Sequence, residues 1–145
     1  MTYRELGVKD CALIEKVFNQ SFSDGWNEEM LASGFESGAL LAIGAFDGQK
    51  AVGAITFSTG LDVVDIQDVA VIPSERRKGI ARELVSLVEE RAKSQNADKI
   101  MLEVRESNVG AIALYGGLGF KKIAERKKYY QDGETALVME KEIEK

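Results

Sequence analysis

Histidine is absent from this chain, and cysteine, proline and tryptophan each occur only once. Without histidine no Ser-His-Asp or Cys-His relay can be built, and ordinary zinc sites lose their commonest nitrogen ligand. Any general base must be Glu, Asp, Tyr, Cys, Lys or a water that one of them orients. The lone Cys11 cannot close an internal disulfide, which fits a reducing cytoplasm. Its helical, partly apolar setting reads as a buried, inert thiol. The only proline is Pro73, and Ser/Gly-rich linkers, repeats and low-complexity tracts are missing. The 145 residues, 45% of them hydrophobic, therefore read as one domain over residues 1–145. No apolar run approaches the ~20 residues needed to span a bilayer. Met1-Thr2-Tyr3-Arg4-Glu5 lacks the apolar core of a signal peptide. The expectation is a cytoplasmic protein with no membrane partner. Positive charge is also in deficit, with 19 Lys and Arg against 24 Asp and Glu, a net charge of −5. That argues against a nucleic-acid partner and suits a cationic amine or basic peptide.

Periodicity predicts eleven elements. Tyr3–Leu6 reads as a strand, 8–20 as a helix carrying Leu13, Ile14, Val17 and Phe18, and Asn27–Phe35 as a helix capped by Asn27. Strands follow at Leu40–Phe46 and Ala51–Phe57, joined by an Asp47-Gly48 turn, and at Val63–Val71. A long helix opens after Gly79 with Ile80, Leu84, Leu87, Val88 and Arg91 on one face. Lys99–Arg105 is a strand whose Ile100, Leu102 and Val104 oppose Met101, Glu103 and Arg105. Asn108 opens a helix that Gly116, Gly117 and Gly119 stop. Phe120–Arg126 and Ala136–Ile143 form a final hairpin around Asp132-Gly133. The order β-α-α-β-β-β-α-β-α-β-β implies a mixed sheet of seven strands flanked by four helices.

The densest chemical signal is Val69-Ala70-Val71-Ile72-Pro73-Ser74-Glu75-Arg76-Arg77-Lys78-Gly79-Ile80-Ala81. An apolar strand meets a proline turn, a basic cluster and one glycine, and then a helix begins. First-turn amides with the positive end of the helix dipole behind them make an anion site, and Gly79 permits close backbone approach. The segment lacks the Gly-Lys-Ser/Thr ending of a nucleotide P-loop and the glycines of a dinucleotide fingerprint. About thirty residues on, Glu103 ends a strand, and Asn108 and Tyr115 lie seven residues apart on the next helix. That spacing is close to two turns, so both project from one face. A carboxylate, an amide and a phenol thus converge at the mouth of a sheet.

Arg76, Gly79 and Ala81 stand where the GNAT acetyltransferase superfamily has a basic or Gln residue, two residues, Gly, one residue, and Gly or Ala. The string from Leu102 through Asn108, Ala111, Leu114-Tyr115 and Gly119-Phe120 resembles the second motif of that superfamily. The resemblance implies the GNAT fold, an α/β (α+β mixed) architecture with a twisted, mostly antiparallel central sheet. It implies acetyl-CoA as cofactor and no metal. Its pyrophosphate is expected on the amides around Arg76, Arg77, Lys78, Gly79, Ile80 and Ala81. Its pantetheine arm is expected along Val69, Ala70 and Val71, with Asn108 and Tyr115 also in contact. Closer still is the resemblance to the bacterial ribosomal-protein-alanine N-acetyltransferases, carried by Leu102-Glu103-Val104-Arg105, Ser107-Asn108, Tyr129-Tyr130, Asp132-Gly133 and the early Phe22–Trp26 segment. That family implies acetyl transfer to a protein's N-terminal α-amine, typically the N-terminal alanine of ribosomal protein S18. Glu103 is then the base and Tyr115 the acid, with Trp26, Asp68 and Tyr130 expected on the substrate side; a monomer is a separate expectation. The sequence departs from the pattern at Asp68, where Asn is commoner, and at Gly116-Gly117, where a charged helix former is usual.

The chemistry suits these residues. An α-amine has a pKa near ~8 and a lysine near ~10.4, so far more of the former is neutral at neutral pH. A carboxylate base is adequate for such an amine, and burial against the sheet would raise the pKa of Glu103 toward the working range. A backbone amide near Val69 is expected to stabilise the oxyanion. Plainer roles compete. Glu103 as a surface carboxylate would pair with Arg105 or Lys99, and Asp65 is a rival base. Asn108 is also a helix cap, and Tyr129 and Tyr130 could be cross-strand packing, with alternation turning one of them toward substrate. Lys121-Lys122 and Arg126-Lys127-Lys128 read as solvated charge. A lysine or small-amine acetyltransferase, or a non-catalytic acyl-CoA sensor, are the alternative functions.

Overall fold

The computed structural model describes residues 1–21 and 27–144. All eleven expected elements are present among them: β1 (Thr2–Leu6), α1 (Cys11–Asn19), α2 (Glu28–Ser37), β2 (Leu41–Asp47), β3 (Lys50–Thr59), β4 (Val63–Val71), α3 (Ile80–Ser94), β5 (Lys99–Arg105), α4 (Val109–Gly117), β6 (Lys121–Arg126) and β7 (Ala136–Glu142). Single 3-10 turns at Val8–Asp10 and Pro73–Glu75 precede α1 and α3. The strands form one seven-stranded sheet in the order β1-β2-β3-β4-β5-β7-β6. β4 and β5 run parallel, Val63↔Lys99 through Ile66↔Leu102, while the β1-β2, β2-β3, β5-β7 and β6-β7 pairs are antiparallel.

Two compact units share the chain. The first comprises residues 1–59 and 67–88. In it α1 buries Ile14, Val17 and Phe18 and α2 buries Leu31, while β3 buries Val52, Ile55 and Phe57. The start of α2 is capped twice. The Asn27 side chain accepts the Met30 amide at 2.8 Å, and the Glu15 carboxylate accepts the Glu28 amide at 2.7 Å. Both acceptors satisfy donors that a helix leaves open at its first turn. Gly38, at φ 78°, closes α2 in the left-handed region that glycine enters without cost.

The second unit comprises residues 60–66 and 89–145. β5 alternates as expected, with Ile100, Leu102 and Val104 buried and Glu103 exposed. β7 buries Ala136 through Met139 in succession, the pattern of a strand covered on both faces. The carbonyl of Asp62 accepts the amides of Asp98 and Lys99, which registers the entry into β5. Asn108 caps α4 by accepting the Ala111 amide at 3.1 Å.

Helix α3 differs in detail from its sequence reading. Ile80, Leu84, Val85, Val88 and Ala92 are buried, whereas Leu87 and Arg91 are only partly covered. The buried stripe is centred on Val88, so Leu87 and Arg91 fall at its margin while Val85 and Ala92 fall inside. Helical spacing permits either face, and burial selects the one whose side chains are aliphatic throughout. Leu84→Ala should cost about 2–5 kcal/mol and Asn27→Ala about 1 kcal/mol in urea unfolding, because one opens a cavity and the other loses a cap.

Candidate active site

The first unit holds the expected anion-binding turn. The chain leaves β4 through Ile72, whose amide donates to the Val52 carbonyl at 2.9 Å. It then passes the Pro73–Glu75 turn and two residues in the left-handed region, Arg77 at φ 65° and Gly79 at φ 83°. These reversals aim the first turn of α3 outward. The first backbone bond at this end runs from the Glu83 amide to the Gly79 carbonyl at 3.0 Å. The amides before Glu83 belong to the set that no α-helix can satisfy from within. A Cβ built on Gly79 would meet no atom within 4 Å, so the backbone there faces open space. Arg77 and Lys78 are exposed beside it.

The basic residues divide their work differently from the sequence reading. Arg76 Nε donates to the Val71 carbonyl at 3.0 Å, and its terminal nitrogen donates to Ser21 Oγ at 3.0 Å. Arg76 is thus a strut that ties the turn back to the end of β4 and to Ser21, two residues past α1. Lys78 pairs with Glu75 at 3.2 Å. Ala70, Val71 and Ile80 are buried, Val69 and Ala81 half-buried. The two-residue burial alternation of β4 holds from Val64 to Gln67 and fails at Asp68–Val69, where both residues are half-buried. The Asp68 carbonyl accepts the buried Thr56 hydroxyl at 3.5 Å. Trp26 lies outside the described residues. A separate groove of about 700 Å³ in this unit, lined by residues including Glu15, Lys16, Asn19, Gln20, Lys50 and Ser74, contains none of the expected site residues.

The second unit holds the acid-base candidates. Glu103 sits on the outward face of β5 and is exposed. The expected burial of Glu103 against the sheet therefore does not hold. Its partner is neither Arg105 nor Lys99. Lys99 pairs with Glu140 at 3.5 Å, and Arg105 binds Asp132 at 2.7 Å and Glu134 at 3.0 Å. Glu103 Oε2 instead lies 3.3 Å from Arg126 Nε. Tyr115 is 5% exposed and packs edge-on against Phe120, ring centroids 5.7 Å apart. Asn108 is exposed and serves as the α4 cap. Asp65, the rival base, is an exposed residue of β4.

Tyr129 and Tyr130 are not in a strand, so alternation does not orient them. Their amides both donate to the Glu134 carbonyl, which folds the 129–135 segment into a tight loop. Their rings meet edge-on at 5.2 Å, and the Arg105 guanidinium lies 4.0 Å from the centre of the Tyr130 ring. Glu134 anchors this loop. Hydrogen bonds from the Ser107 side chain and amide, then from Arg105, hold its carboxyl below the ordinary range. Cation-π stacking and a shared carboxylate thus fix Tyr130 through a residue of β5.

Residues 11–120 match the acetyltransferase (GNAT) family, and the chain belongs to that family. The chain is similar to the ribosomal protein bS18-alanine N-acetyltransferase of Escherichia coli K12, with 35% identity over 117 residues, 79% of this chain and 78% of that protein. An N-alpha-acetyltransferase of Saccharolobus solfataricus is 48% identical over 75 residues, which cover 51% of this chain and 45% of that protein. The matched part thus spans less than half the length of that archaeal relative. The crystal structure of the ribosomal-protein-S18-alanine N-acetyltransferase from E. coli matches with a TM-score of 0.91 at 28% identity, covering 99% of this chain and 94% of that one. The seven-stranded, mostly antiparallel sheet with four helices is the GNAT fold. Among the described residues no cluster of three or more Cys, Asp or Glu could hold a metal, and no helix is long and apolar enough to cross a membrane.

A carboxyl whose folded pKa is depressed adds stability above its unfolded pKa and loses it as pH falls through the folded value. The Glu134 contribution should therefore be complete at neutral pH and disappear in acid below the ordinary glutamate range. Urea midpoints measured from neutral pH down to about pH 3 should fall less steeply for Glu134→Gln than for the wild type.

Proposed function

We propose that this chain, acting as a single domain over residues 1–145, transfers an acetyl group from acetyl-CoA to the N-terminal α-amine of a protein. The proposed target is the N-terminal alanine of ribosomal protein S18. The observation that carries the reading is the exposed Glu103 carboxylate on β5, followed on α4 by the buried Tyr115 phenol. The bacterial and archaeal relatives, both named for α-amine or alanine acetylation, support the acceptor class.

Acetyl-CoA supplies an activated thioester and a pyrophosphate. The open backbone at Gly79 and the exposed cations Arg77 and Lys78 suit the pyrophosphate. Ile80 and Ala81 contribute first-turn amides, and Arg76 acts by holding the turn. Val69, Ala70 and Val71 line the approach of the pantetheine arm, and Asn108 adds a polar contact beyond its capping role. Glu103 accepts the proton that the attacking α-ammonium must lose, directly or through a water. Tyr115 gives a proton to the departing thiolate. Trp26, Asp68 and Tyr130 face the substrate chain. In this reading the protein works as a cytoplasmic monomer and needs neither metal, nucleic acid nor membrane.

The test is a peptide panel with acetyl-CoA: an S18-like free alanine N-terminus, and the same peptide blocked at its N-terminus and carrying an internal lysine. The free α-amine should be acetylated and the blocked peptide should not. Glu103→Gln and Tyr115→Phe should each lower kcat by about 10²–10⁴-fold. Lysine acetylation in preference would move the enzyme to the side-chain class, and CoA binding without turnover on any amine would make it a sensor. Near-normal rates for both variants from about pH 6 to about pH 9 would remove these residues from their roles.

A further inference from the structure

The registers of the second unit place three charged residues on one face of its strands. Arg105 of β5 and Arg126 of β6 both stand opposite Ala136 of the intervening β7. Glu103 stands opposite Val138, two residues along β7 from Ala136. Cross-strand partners share a face, and so do residues two apart on one strand. Glu103, Arg105, Ala136, Val138 and Arg126 therefore project to the same side. Ala136 is fully buried. A longer side chain there would block the path across β7, and the methyl group lets the Arg126 arm pass over it to Glu103.

The two arginines have different employment. Arg105 is committed to Asp132, Glu134 and the Tyr130 ring. Arg126 reaches Glu103 with Nε at 3.3 Å, rests 5.6 Å from the Tyr129 ring centre and leaves 58% of its side chain in solvent. An exposed pair of this kind costs little to separate. The carboxylate proposed to receive a substrate ammonium is thus already occupied by a cation, and that cation is lightly held.

We propose that Arg126 is a competing placeholder: its guanidinium occupies the cation position at Glu103 in the free protein and is displaced by the substrate's α-ammonium. The inference rests on the reading of Glu103 as the residue that meets the amine. A neutral or already acetylated N-terminus brings no charge to exchange for the guanidinium. Arg126 therefore tempers the affinity for charged acceptors and leaves the affinity for the neutral product unchanged.

The direction of the effect separates this role from a structural one. Loss of a structural contact weakens substrate binding, whereas loss of a competitor strengthens it. Calorimetry of the full chain with CoA present compares an alanine-initiated peptide with its N-acetylated form. Arg126→Gln should bind the free-amine peptide two- to fivefold more tightly, a modest gain that matches an exposed ion pair. It should bind the acetylated peptide as the wild type does. Arg126→Lys should stay near wild type for both peptides. Lys127→Gln, which removes the same charge next door, should leave both affinities unchanged. Unchanged or weaker free-amine binding by Arg126→Gln, or an equal gain in Lys127→Gln, overturns the inference. A wild type that acetylates the peptide while the Arg126 series stays flat rejects only the placeholder. A wild type that neither binds nor acetylates it rejects the functional reading and the placeholder together.

Discussion

A helix cannot satisfy the amides of its own first turn, and this protein leaves those of α3 facing outward. Gly79 faces open space, and Arg77 accepts a left-handed backbone that costs a non-glycine residue about 1 kcal/mol or more. Arg76 offsets that strain by bonding the Val71 carbonyl and the Ser21 hydroxyl. The turn is therefore rigid where it must be and open where an anion would sit. A pyrophosphate is the kind of anion that such a turn suits.

The acid-base half follows from strand geometry. β5 turns its aliphatic residues inward and leaves Glu103 and Arg105 on the other face. β7 and β6 bring Arg126 and Ala136 to that same face through their registers. Glu103 is therefore set among charged groups rather than in an apolar pocket. The proposed acceptor is an α-amine, and a substantial minority of such amines are neutral near physiological pH. Arg105 extends the arrangement into the loop, where Glu134, Ser107 and Tyr130 share its donors and its planar face.

Much of this was legible in the chain itself. Strand alternation, the Asn27 and Asn108 caps and the glycine stops located every element to within a few residues, because each signal is local. The Gly79 turn was legible for the same reason. The readings that changed all depend on partners distant in sequence. Arg76 read as phosphate charge because Ser21 is not its neighbour in the chain. Glu103 read as buried because the openness of its face depends on what packs against the sheet. Arg126 read as part of a solvated basic run, since its link to Glu103 exists only after β7 has paired with both β5 and β6. The Asp132-Gly133 turn signal does not supply that register: counting outward from it sets Arg126 opposite Met139, three residues from its actual partner Ala136. Tyr129 and Tyr130 lost their expected alternation because the segment closes as a loop through Glu134.

The most direct measurement is titration of coenzyme A into the wild type and into Gly79→Val by calorimetry. A β-branched residue cannot adopt the left-handed backbone of Gly79 without strain, so the outward aim of the first α3 amides is lost while the core residues remain. The account predicts one coenzyme A bound per chain by the wild type and at least about tenfold weaker binding by the variant, in keeping with the loss of one or more charge-assisted hydrogen bonds. No measurable binding by the wild type, or equal binding by the two proteins, would contradict it.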